Sequence, residues 1–396
     1  MMTNNRWVIS GVAAVLLGIG LWRAVPVIRG IWPAWGPAAP VPTVAGSPSP
    51  AVSGPALPVA PLTAAPGWKA FLLTDDVPGA RDMALDAFGN VWVSQPSEGT
   101  VSLVYLKDTN PGVPPVVSSV LRDLDRPHGL VFDPANGFSL YVAEVTRIIR
   151  VATYGDGAPE HVADLPAGGR HFTRSLAFGP DARLYVSLGS TCDVCYEAHP
   201  EIATVISMNR DGSDRRTEAT GLRNAVFIAF HPQFTESLWT TEMGRDRLGD
   251  NLPPDEINVI DVGGVTEDYG WPICYGNHVH DADFDKNQYI RDPCEDTVPP
   301  LIELPAHVAP LGLAFLDDGD LLVAYHGSWN STVPVGYKVV RWHWDGTGWT
   351  SSDFLTGFLL NGSAFGRPVD VLPMPDGSVL VSDDKAGAIW KMMRTE

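Results

Sequence analysis

One histidine of this chain stands in a setting that favours chemistry, in the segment GGRHFTRS that begins at Gly168. Two glycines let the backbone approach another part of the chain closely, and His171 follows them just before an apolar stretch. A neutral imidazole can accept a proton near physiological pH, so His171 is a candidate general base for a substrate hydroxyl. Thr173 and Arg174 are candidates for its support. A loop histidine with only structural hydrogen bonds is the alternative interpretation.

Three other segments place cationic or amide side chains beside apolar stretches: RPHGL from Arg126, GLRNAVFIAF from Gly221 and AFGRPVDV from Ala364. Their arginines Arg223 and Arg367 offer planar forks that pair with carboxylates. With Asn224, they are candidates for holding a ligand that bears carboxylates. Each arginine alone is also typical of a salt bridge between neighbouring elements.

Two acidic loops are candidates for a cation. In TTEMGRDRLGDNLPPDEIN, backbone carbonyls around Gly244 and Arg245 can coordinate Ca²⁺, and a solvated loop is the alternative. The run DADFDKNQYIRD has the alternating acids of a calcium loop, but Lys286 replaces the glycine of the sharp turn and Asp292 replaces the final glutamate. We expect the second loop to be a solvated acidic loop without an ion.

These segments all flank copies of one repeat, in which two apolar strands enclose a turn with Asp, Gly or Asn. The sequence contains six copies, which begin at Met83, Gly129, Ser175, Ile228, Gly312 and Asp370. Their starts are 46, 46, 53, 84 and 58 residues apart, and about 40 to 50 residues form one four-stranded propeller blade. We therefore predict an all-β, six-bladed β-propeller with an insertion in the longest interval, and a β-sandwich is a distant alternative.

Composition and charge limit the possible partners. The chain has 396 residues, of which 18% are charged, and its net charge is −19. Residues 1–74 contain four basic and no acidic residues, so the remainder carries a net charge of −23. Such a domain repels phosphate backbones, which argues against a nucleic-acid partner.

The amino-terminal part of the chain predicts export. Residues 7–22 are uncharged and apolar, and basic residues and prolines follow them without a clear cleavage site. We expect residues 1–32 to form an uncleaved signal anchor, with a cleaved signal peptide as the alternative, and the chain to lie on the periplasmic or extracellular face. Ten of the 34 residues in 33–66 are proline, which predicts a tether before a propeller at 67–396. The membrane contact would be through the amino-terminal helix only.

Four cysteines agree with an exported protein. Cys192 and Cys195 form a C-x-x-C motif, while Cys274 and Cys294 flank a loop within the insertion. An even count in an exported chain favours two structural disulfides. The β repeat around Cys192 argues against a thioredoxin-like redox motif, which belongs to a βαβ unit.

Five motifs in the same order resemble the glucose/sorbosone dehydrogenase family. They are RHFTRSLAFGPDARLYVSLGS with CDVC behind it, GLRNAVFIAFHP, PPDEIN with DYGWP, HGSWNSTVPVGYKVVR, and GRPVDVLPMPDGSVLVSDD. The resemblance spans roughly Gly67 to Lys391. It implies a six-bladed propeller that oxidises sugars with pyrroloquinoline quinone (PQQ) and Ca²⁺ and passes electrons to an external acceptor.

The resemblance also implies roles for particular residues. His171 matches the family's catalytic base, which takes the proton of the anomeric hydroxyl. The positions that match quinone-contacting residues are Arg223, Asn224, Arg367 and His128. Gly244 and Arg245 match the loop whose main-chain oxygens bind the active-site Ca²⁺. The lysine beside the quinone in the best-known glucose oxidisers is absent here, since Pro334 falls near its place and Lys338 lies a few positions on.

The sequence thus predicts an aldose or sugar-aldehyde dehydrogenase of the sorbosone-like, membrane-anchored branch. Two other functions stay open. Some six-bladed propellers hydrolyse lactones with Ca²⁺, although that reaction requires converging carboxylates and amides where this chain has mainly Arg and His. The missing lysine leaves room for a propeller that binds carbohydrate or protein without catalysis.

Overall fold

Each of the six repeats forms the inner two strands of one antiparallel sheet. Asp86 illustrates the local cause: its Oδ1 accepts hydrogen bonds from the backbone N–H groups of Phe88 (2.9 Å) and Asn90 (2.8 Å). This closes the turn between two strands.

The computed structural model describes residues 30–39, 60–106, 114–154 and 157–395, and the predicted signal anchor at 1–32 lies almost entirely outside them.

Six sheets of four or five strands form the blades, and two short hairpins lie between them. Blade 1 comprises β3 (Met83–Leu85), β4 (Val91–Gln95), β5 (Thr100–Tyr105) and β6 (Val116–Leu121). Blade 2 comprises β7 (Leu130–Phe132), β8 (Ser139–Ala143), β9 (Arg147–Ala152) and β10 (Glu160–Asp164). Blade 3 comprises β11 (Leu176–Phe178), β12 (Leu184–Leu188), β13 (Thr204–Met208), β14 (Arg216–Thr220) and a parallel fifth strand, β18 (Glu267–Asp268).

Blade 4 comprises β15 (Ala225–Phe230), β16 (Ser237–Glu242), β17 (Asp255–Asp261) and β21 (Ile302–Leu304). Blade 5 comprises β22 (Pro310–Phe315), β23 (Leu321–Tyr325), β24 (Lys338–Trp344), β25 (Trp349–Thr356) and an added strand, β1 (Thr63–Ala64). Blade 6 comprises β28 (Pro368–Pro373), β29 (Val379–Asp383), β30 (Ala388–Arg394) and β2 (Trp68–Thr74). The two hairpins are β19 (Cys274–Tyr275) with β20 (Val279–His280), and β26 (Leu359–Leu360) with β27 (Ser363–Ala364).

The ring of blades closes by pairing the two ends of the propeller. Strand β2 is antiparallel to β30, with Trp68 opposite Arg394. The inner strands contact one another in the order β3, β7, β11, β15, β22, β28 and back to β3. Closure packs each blade between two neighbours and buries apolar side chains between successive blades. The predicted six-bladed propeller is therefore confirmed.

Two buried carboxylates join blades near the axis. Asp370 of blade 6 accepts a hydrogen bond from the Met83 N–H (2.9 Å), and Asp82 accepts one from the Leu130 N–H of blade 2 (2.8 Å). Burial, followed by the neighbouring charge of Asp370, raises the pKa of Asp82 well above its ordinary value. Each of these carboxylates thus links its own blade to the backbone of the next blade.

The insertion predicted in the longest interval lies within blade 4, between β17 and β21. It contributes β18 to blade 3 and contains the Cys274–Cys294 disulfide. The second predicted disulfide, Cys192–Cys195, follows β12. Both predicted disulfides are confirmed.

Part of the predicted tether lies against the propeller. Residues 30–35 form a short helix, α1, and residues 36–39 continue from it. Farther along, β1 pairs with β25, so that Thr63 lies opposite Thr356. Among the described residues, no helix combines the length and apolar character needed to span a membrane.

We expect Asp82→Asn to gain stability relative to the wild type as the pH rises. The pKa of Asp82 is raised in the folded state, so the unfolded chain loses this proton at a lower pH. The stability that the protonated group contributes is therefore lost as the pH rises through the folded-state pKa. The amide cannot ionise, while its oxygen can still accept from Leu130.

Urea unfolding at about pH 5 and about pH 8 tests this expectation, since one unit of pKa shift corresponds to about 1.4 kcal/mol. Between these two pH values, the unfolding free energy of the variant should rise relative to that of the wild type. Asp86→Asn, in the turn of the first repeat, is the control. A difference that does not change with pH would contradict the expectation.

Candidate active site

Loops of blades 3, 4 and 5 converge around a cavity of about 350 Å³ at one end of the propeller. Pockets for small molecules commonly have volumes of about 300 to 1,000 Å³. The residues that line it are Trp35, Arg170, His171, Arg223, Met243, Gly244, Asp246, Asp255, His307, Ala309, Trp329 and Asn330. Of the residues predicted from sequence, His171, Arg223 and Gly244 are thus brought together.

The segment that carries His171 is fixed by close backbone packing. The N–H groups of Arg170 and His171 donate to the carbonyls of Thr191 (2.9 Å) and Ser190 (3.2 Å). A Cβ at Gly169 would lie 2.4 Å from the Thr191 Cα, so only glycine permits this approach. The buried Arg174 donates to the carbonyls of His171 (3.2 Å) and Thr173 (3.0 Å), which agrees with the support predicted for it.

A hydroxyl chain determines which nitrogen of His171 carries the proton. His171 Nδ1 lies 2.8 Å from Ser190 Oγ, and this hydroxyl donates to the Cys192 carbonyl at 2.8 Å. Because Ser190 has only one proton to donate, it accepts from the Nδ1–H of His171. Nε2 is then unprotonated, and no other described residue hydrogen-bonds to it. The ring can therefore accept a proton in the cavity.

The surroundings of His171 keep it neutral. Burial lowers the pKa of His171 far below its ordinary value, and the positive charges of Arg223 and Arg170 lower it further. A base must be unprotonated to act, so this histidine is available at neutral and mildly acidic pH.

Asp193 connects Arg223 to the neighbouring loops. Arg223 donates from Nε to the Asp193 carbonyl (2.8 Å), from Nη2 to Asp193 Oδ1 (2.7 Å) and from Nη1 to the Met243 carbonyl (3.0 Å). Asp193 Oδ1 also accepts from the Asp246 N–H at 2.9 Å. Although burial opposes ionisation, these hydrogen bonds and charges lower the pKa of Asp193. Since the Cys192–Cys195 disulfide encloses Asp193, this short loop fixes Arg223.

A second polar group in the cavity was not identified from the sequence. Asp246 forms an ion pair with Arg170, accepts from Asn330 Nδ2 (2.7 Å) and lies 3.7 Å from Arg223. Arg170 also lies over the Trp329 ring, 5.7 Å from its centroid. The sequence contains two signals for this group, namely Arg170 directly before His171 and the tryptophan of the HGSWN segment. The contact between Arg170 and Trp329 depends on the tertiary structure.

Asn224 lies behind the cavity, beside Gly189. Its N–H donates to Glu242 Oε1 (2.8 Å), while its side-chain Oδ1 is buried and has no partner among the described residues. A Cβ at Gly189 would lie 2.8 Å from this oxygen and 2.7 Å from the Cβ of His171. Among the described residues, Asn224 therefore has an unused acceptor close behind His171.

The predicted metal loop lies among buried carboxylates. Gly244 lines the cavity, and its N–H donates to Asp255 Oδ1 (2.9 Å). Burial raises the pKa of Asp255 to about 7 and raises that of Glu242, whose Oε2 has no partner in the described part of the chain. A divalent cation on main-chain oxygens here would favour the ionised carboxylates, so the residues fit the predicted Ca²⁺.

The side chain of Arg245 points away from the main cavity. Its Nη1 donates to Asp281 Oδ2 at 2.7 Å, in a smaller pocket beside the insertion. Asp281 also caps its own loop by accepting from the Asp283 and Phe284 N–H groups. Its carboxylate thus binds both Arg245 and its own loop, and the expectation that this loop holds no ion stays a prediction.

Like Asn224, the predicted cofactor contacts Arg367 and His128 lie outside the cavity lining. Arg367 donates from Nε to the His326 carbonyl (3.0 Å) and from Nη2 to the Gly327 carbonyl (2.5 Å), and so supports the loop that carries Trp329. His128 is buried, lies 3.4 Å from Ser175 Oγ and has an Nε2 without a partner among the described residues. Their contact with a quinone stays a prediction.

The sequence comparison places this fold in a known group. Residues 62–395 match the profile of the TrAA12-like family. The chain belongs to this family. An uncharacterized protein of Borreliella burgdorferi is 37% identical over 223 residues, which cover 53% of this chain and 57% of that protein. The PQQ-dependent pyranose dehydrogenase of Coprinopsis cinerea is 37% identical over 133 residues, 27% of this chain and 18% of that enzyme. The matches thus span less than two thirds of either relative.

Solved structures share the fold of this TrAA12-like protein. The calcium structure of the Trichoderma reesei enzyme of carbohydrate-active family AA12 has a TM-score of 0.74 and 21% identity over 87% of this chain and 98% of that chain. The holo PQQ domain of the Coprinopsis cinerea pyranose dehydrogenase has a TM-score of 0.72 and 22% identity, over 86% of this chain and 99% of that chain. The PQQ-bound aldose sugar dehydrogenase of Streptomyces coelicolor has a TM-score of 0.60 and 18% identity, over 83% and 99%. The family resemblance drawn from the motifs is confirmed.

His171 should stay neutral, with its proton on Nδ1, between about pH 8 and about pH 5, whereas an ordinary histidine titrates near pH 6.5. ¹⁵N NMR of histidine-labelled protein measures both features, and the spectrum of His171→Gln assigns the signal by its absence. Ser190→Ala removes the acceptor and should leave a mixture of tautomers. If His171 of the wild type titrates near pH 6.5, or if its proton lies on Nε2, the proposed hydrogen bonds from His171 through Ser190 to Cys192 are contradicted.

Asp193→Ala should destabilise the protein by about 3 kcal/mol, because it leaves the buried Arg223 without its main carboxylate partner. Asp193→Asn keeps a hydrogen-bond acceptor and should lose less. Urea unfolding measures both, with the exposed Asp211→Ala as the control. If Asp193→Ala is as stable as Asp211→Ala, the proposed connection does not hold Arg223.

Proposed function

We propose that this protein is a PQQ- and Ca²⁺-dependent dehydrogenase that oxidises an aldopyranose or a related sugar aldehyde. The observation that carries the proposal is a neutral histidine with a free Nε2, placed in one cavity with two arginines. A base and cationic groups in a partly enclosed cavity suit removal of a hydroxyl proton near a ligand that bears carboxylates. The fold is shared with a pyranose dehydrogenase and an aldose sugar dehydrogenase, which supports sugar oxidation as the reaction class.

The cationic side chains would hold the cofactor. Arg223 uses three of its N–H groups on Asp193 and Met243, and the guanidinium has five, so two remain for a carboxylate of the quinone. Arg170 lies partly exposed in the same cavity. Main-chain oxygens of Gly244 and Arg245 would hold Ca²⁺, with Asp255 and Glu242 providing negative charge nearby. PQQ, when bound, supplies a carbonyl centre that accepts hydride.

His171 would act on the substrate. Nε2 takes the proton of the anomeric hydroxyl while the C1 hydrogen leaves as hydride, so the sugar loses two electrons and two hydrogens and becomes a lactone. The Ser190 hydroxyl keeps Nδ1 protonated and thus keeps Nε2 available. An external electron acceptor then removes the two electrons and completes the cycle.

The missing lysine favours a substrate range different from that of the best-known glucose oxidisers. Lys338 forms an ion pair with Asp353 at 2.6 Å in blade 5 and does not line the cavity. A sorbosone-like sugar aldehyde is therefore a substrate candidate beside the aldopyranoses.

The proposal includes a location outside the cytoplasm. Two disulfides agree with an oxidising compartment, and the apolar run at 7–22 would anchor the chain in a membrane on its periplasmic or extracellular face. Fractionation of cells that express the full chain measures this, because alkaline carbonate should leave an anchored protein in the membrane pellet.

Reconstitution tests the function. The purified full chain is titrated with PQQ and CaCl₂ and then assayed with D-glucose, D-galactose, D-mannose, cellobiose and sorbosone in the presence of an artificial acceptor dye. His171→Ala should bind PQQ but lose about 10² to 10⁴ in kcat, since a general base contributes that much. The exposed His161→Ala is the control and should retain activity.

The other two functions predict different outcomes. Lactone hydrolysis by quinone-free protein would support the lactonase. Sugar binding without oxidation, unchanged in His171→Ala, would support a binding propeller. Failure to bind PQQ in the presence of Ca²⁺ would refute the proposed dehydrogenase.

A further inference from the structure

The propeller repeats do not form the whole wall of the cavity. Trp35, which lies on α1 within the predicted tether of residues 33–66, lines the cavity together with Arg170 and Trp329. Its side chain is 74% exposed, so burial in a core does not explain its position. An exposed tryptophan at the mouth of a polar cavity is typical of a ligand-contacting residue.

The segment that carries Trp35 is held on the propeller at both of its ends. Gly30 packs so closely on the backbone of blade 5 that a Cβ there would lie 1.8 Å from the Ser331 carbonyl oxygen. At the other end, the Ala39 N–H donates to the Ala364 carbonyl at 3.3 Å. Residues 30–39 therefore form a strap across the cavity mouth, from the loop of Ser331 to the hairpin of β27.

Lys385 of blade 6 fixes the middle of this strap. Its Nζ donates to the carbonyls of Ala34 (3.5 Å) and Gly36 (2.5 Å), which flank Trp35. A cation at the carboxyl end of a helix is favourable, because the last carbonyls lack partners within the helix. Lys385 thus positions Trp35 without lining the cavity.

The chemistry of the mouth suits a pyranose ring. Such a ring has a C–H face, which packs on an indole, and hydroxyls at its edge, which require hydrogen-bond partners. Trp35 and Trp329 provide aromatic surface, while Asn330 and His307 provide polar groups in the same cavity. Arg170 lies over Trp329 and fixes that second indole.

We propose that Trp35, delivered by the strap of residues 30–39, contacts the pyranose substrate and contributes to its binding. The inference rests on the proposed sugar dehydrogenase activity. It assigns part of the predicted tether to the active site, and it makes Lys385 a positioning residue for Trp35.

Steady-state kinetics of the full chain tests the inference with the four pyranoses of the substrate panel, D-glucose, D-galactose, D-mannose and cellobiose. Trp35→Ala should raise KM about tenfold and change kcat less than about twofold, because the lost contact binds substrate without taking part in the reaction. Trp32→Ala, from the same helix and half exposed, should change KM less than about twofold. Equal effects of the two variants would assign the contact to the segment as a whole and overturn the role of Trp35.

Lys385→Met tests the positioning role. It should raise KM less than Trp35→Ala does, and the double variant should match Trp35→Ala alone, because both changes act through the same contact. Additive effects would show that Lys385 acts independently of Trp35 and would overturn this part of the inference.

A binding measurement separates failure of this inference from failure of the proposed function. ¹⁹F NMR of protein labelled with 5-fluorotryptophan, free of quinone and Ca²⁺, is recorded with the same four sugars, and Trp35→Phe assigns the Trp35 signal. The signal should shift with every pyranose that the loaded enzyme oxidises. Oxidation of a sugar that neither shifts the signal nor depends on Trp35 overturns the inference alone. If none of the four is oxidised and none shifts the signal, both proposals for a pyranose substrate are refuted.

Discussion

The ion pair between the buried Arg223 and the half-buried Asp193 is the interaction on which the geometry of the site depends. Asp193 lies in the loop closed by the Cys192–Cys195 disulfide, and its carboxylate also accepts a hydrogen bond from the backbone N–H of Asp246, beside the predicted metal-binding residues. A buried guanidinium is favourable only when paired and fully hydrogen-bonded, so the loops of blades 3 and 4 must approach each other to satisfy it. This requirement brings His171, Arg223 and Gly244 to one cavity.

Ring closure provides the frame for that approach. Because β2 pairs with β30, the inner strands form a continuous ring and the loops of three blades meet at one end. Asp82 and Asp370 link successive blades through backbone N–H groups near the axis. The cavity is therefore built on rigid strands, while its chemical groups come from loops, an arrangement that many binding sites share.

Electrostatics divides the site into two parts with different tasks. On the side of blade 3, burial and the positive charges of Arg223 and Arg170 lower the pKa of His171 and keep it neutral. On the side of blade 4, Asp255 and Glu242 are buried, and burial raises their pKa values. A ligand with carboxylates suits the first part and a divalent cation suits the second. The proposed PQQ and Ca²⁺ would thus each meet groups of opposite charge.

The sequence by itself determined the fold class, the number of blades and the two disulfides. Apolar strands around Asp and Gly turns are local signals, and the number of these repeats gives the number of blades. It also indicated His171 as a candidate that lines the cavity, because its glycines and the following strand are neighbours in the chain. Only the tertiary structure decided which polar residues share the cavity. Arg170, Asp246 and Asn330 come from three separate loops, and their contacts arise from radial packing.

The same reasoning explains two features that the sequence did not reveal. Two N–H groups of Arg367, a predicted cofactor contact, donate to backbone carbonyls of a neighbouring loop, which only their spatial proximity could reveal. Trp35 lies in a proline-rich stretch with no periodic pattern, so its composition indicated only a tether. Its place at the cavity depends on Lys385, 350 residues later in the chain, and such a long-range contact leaves no local trace.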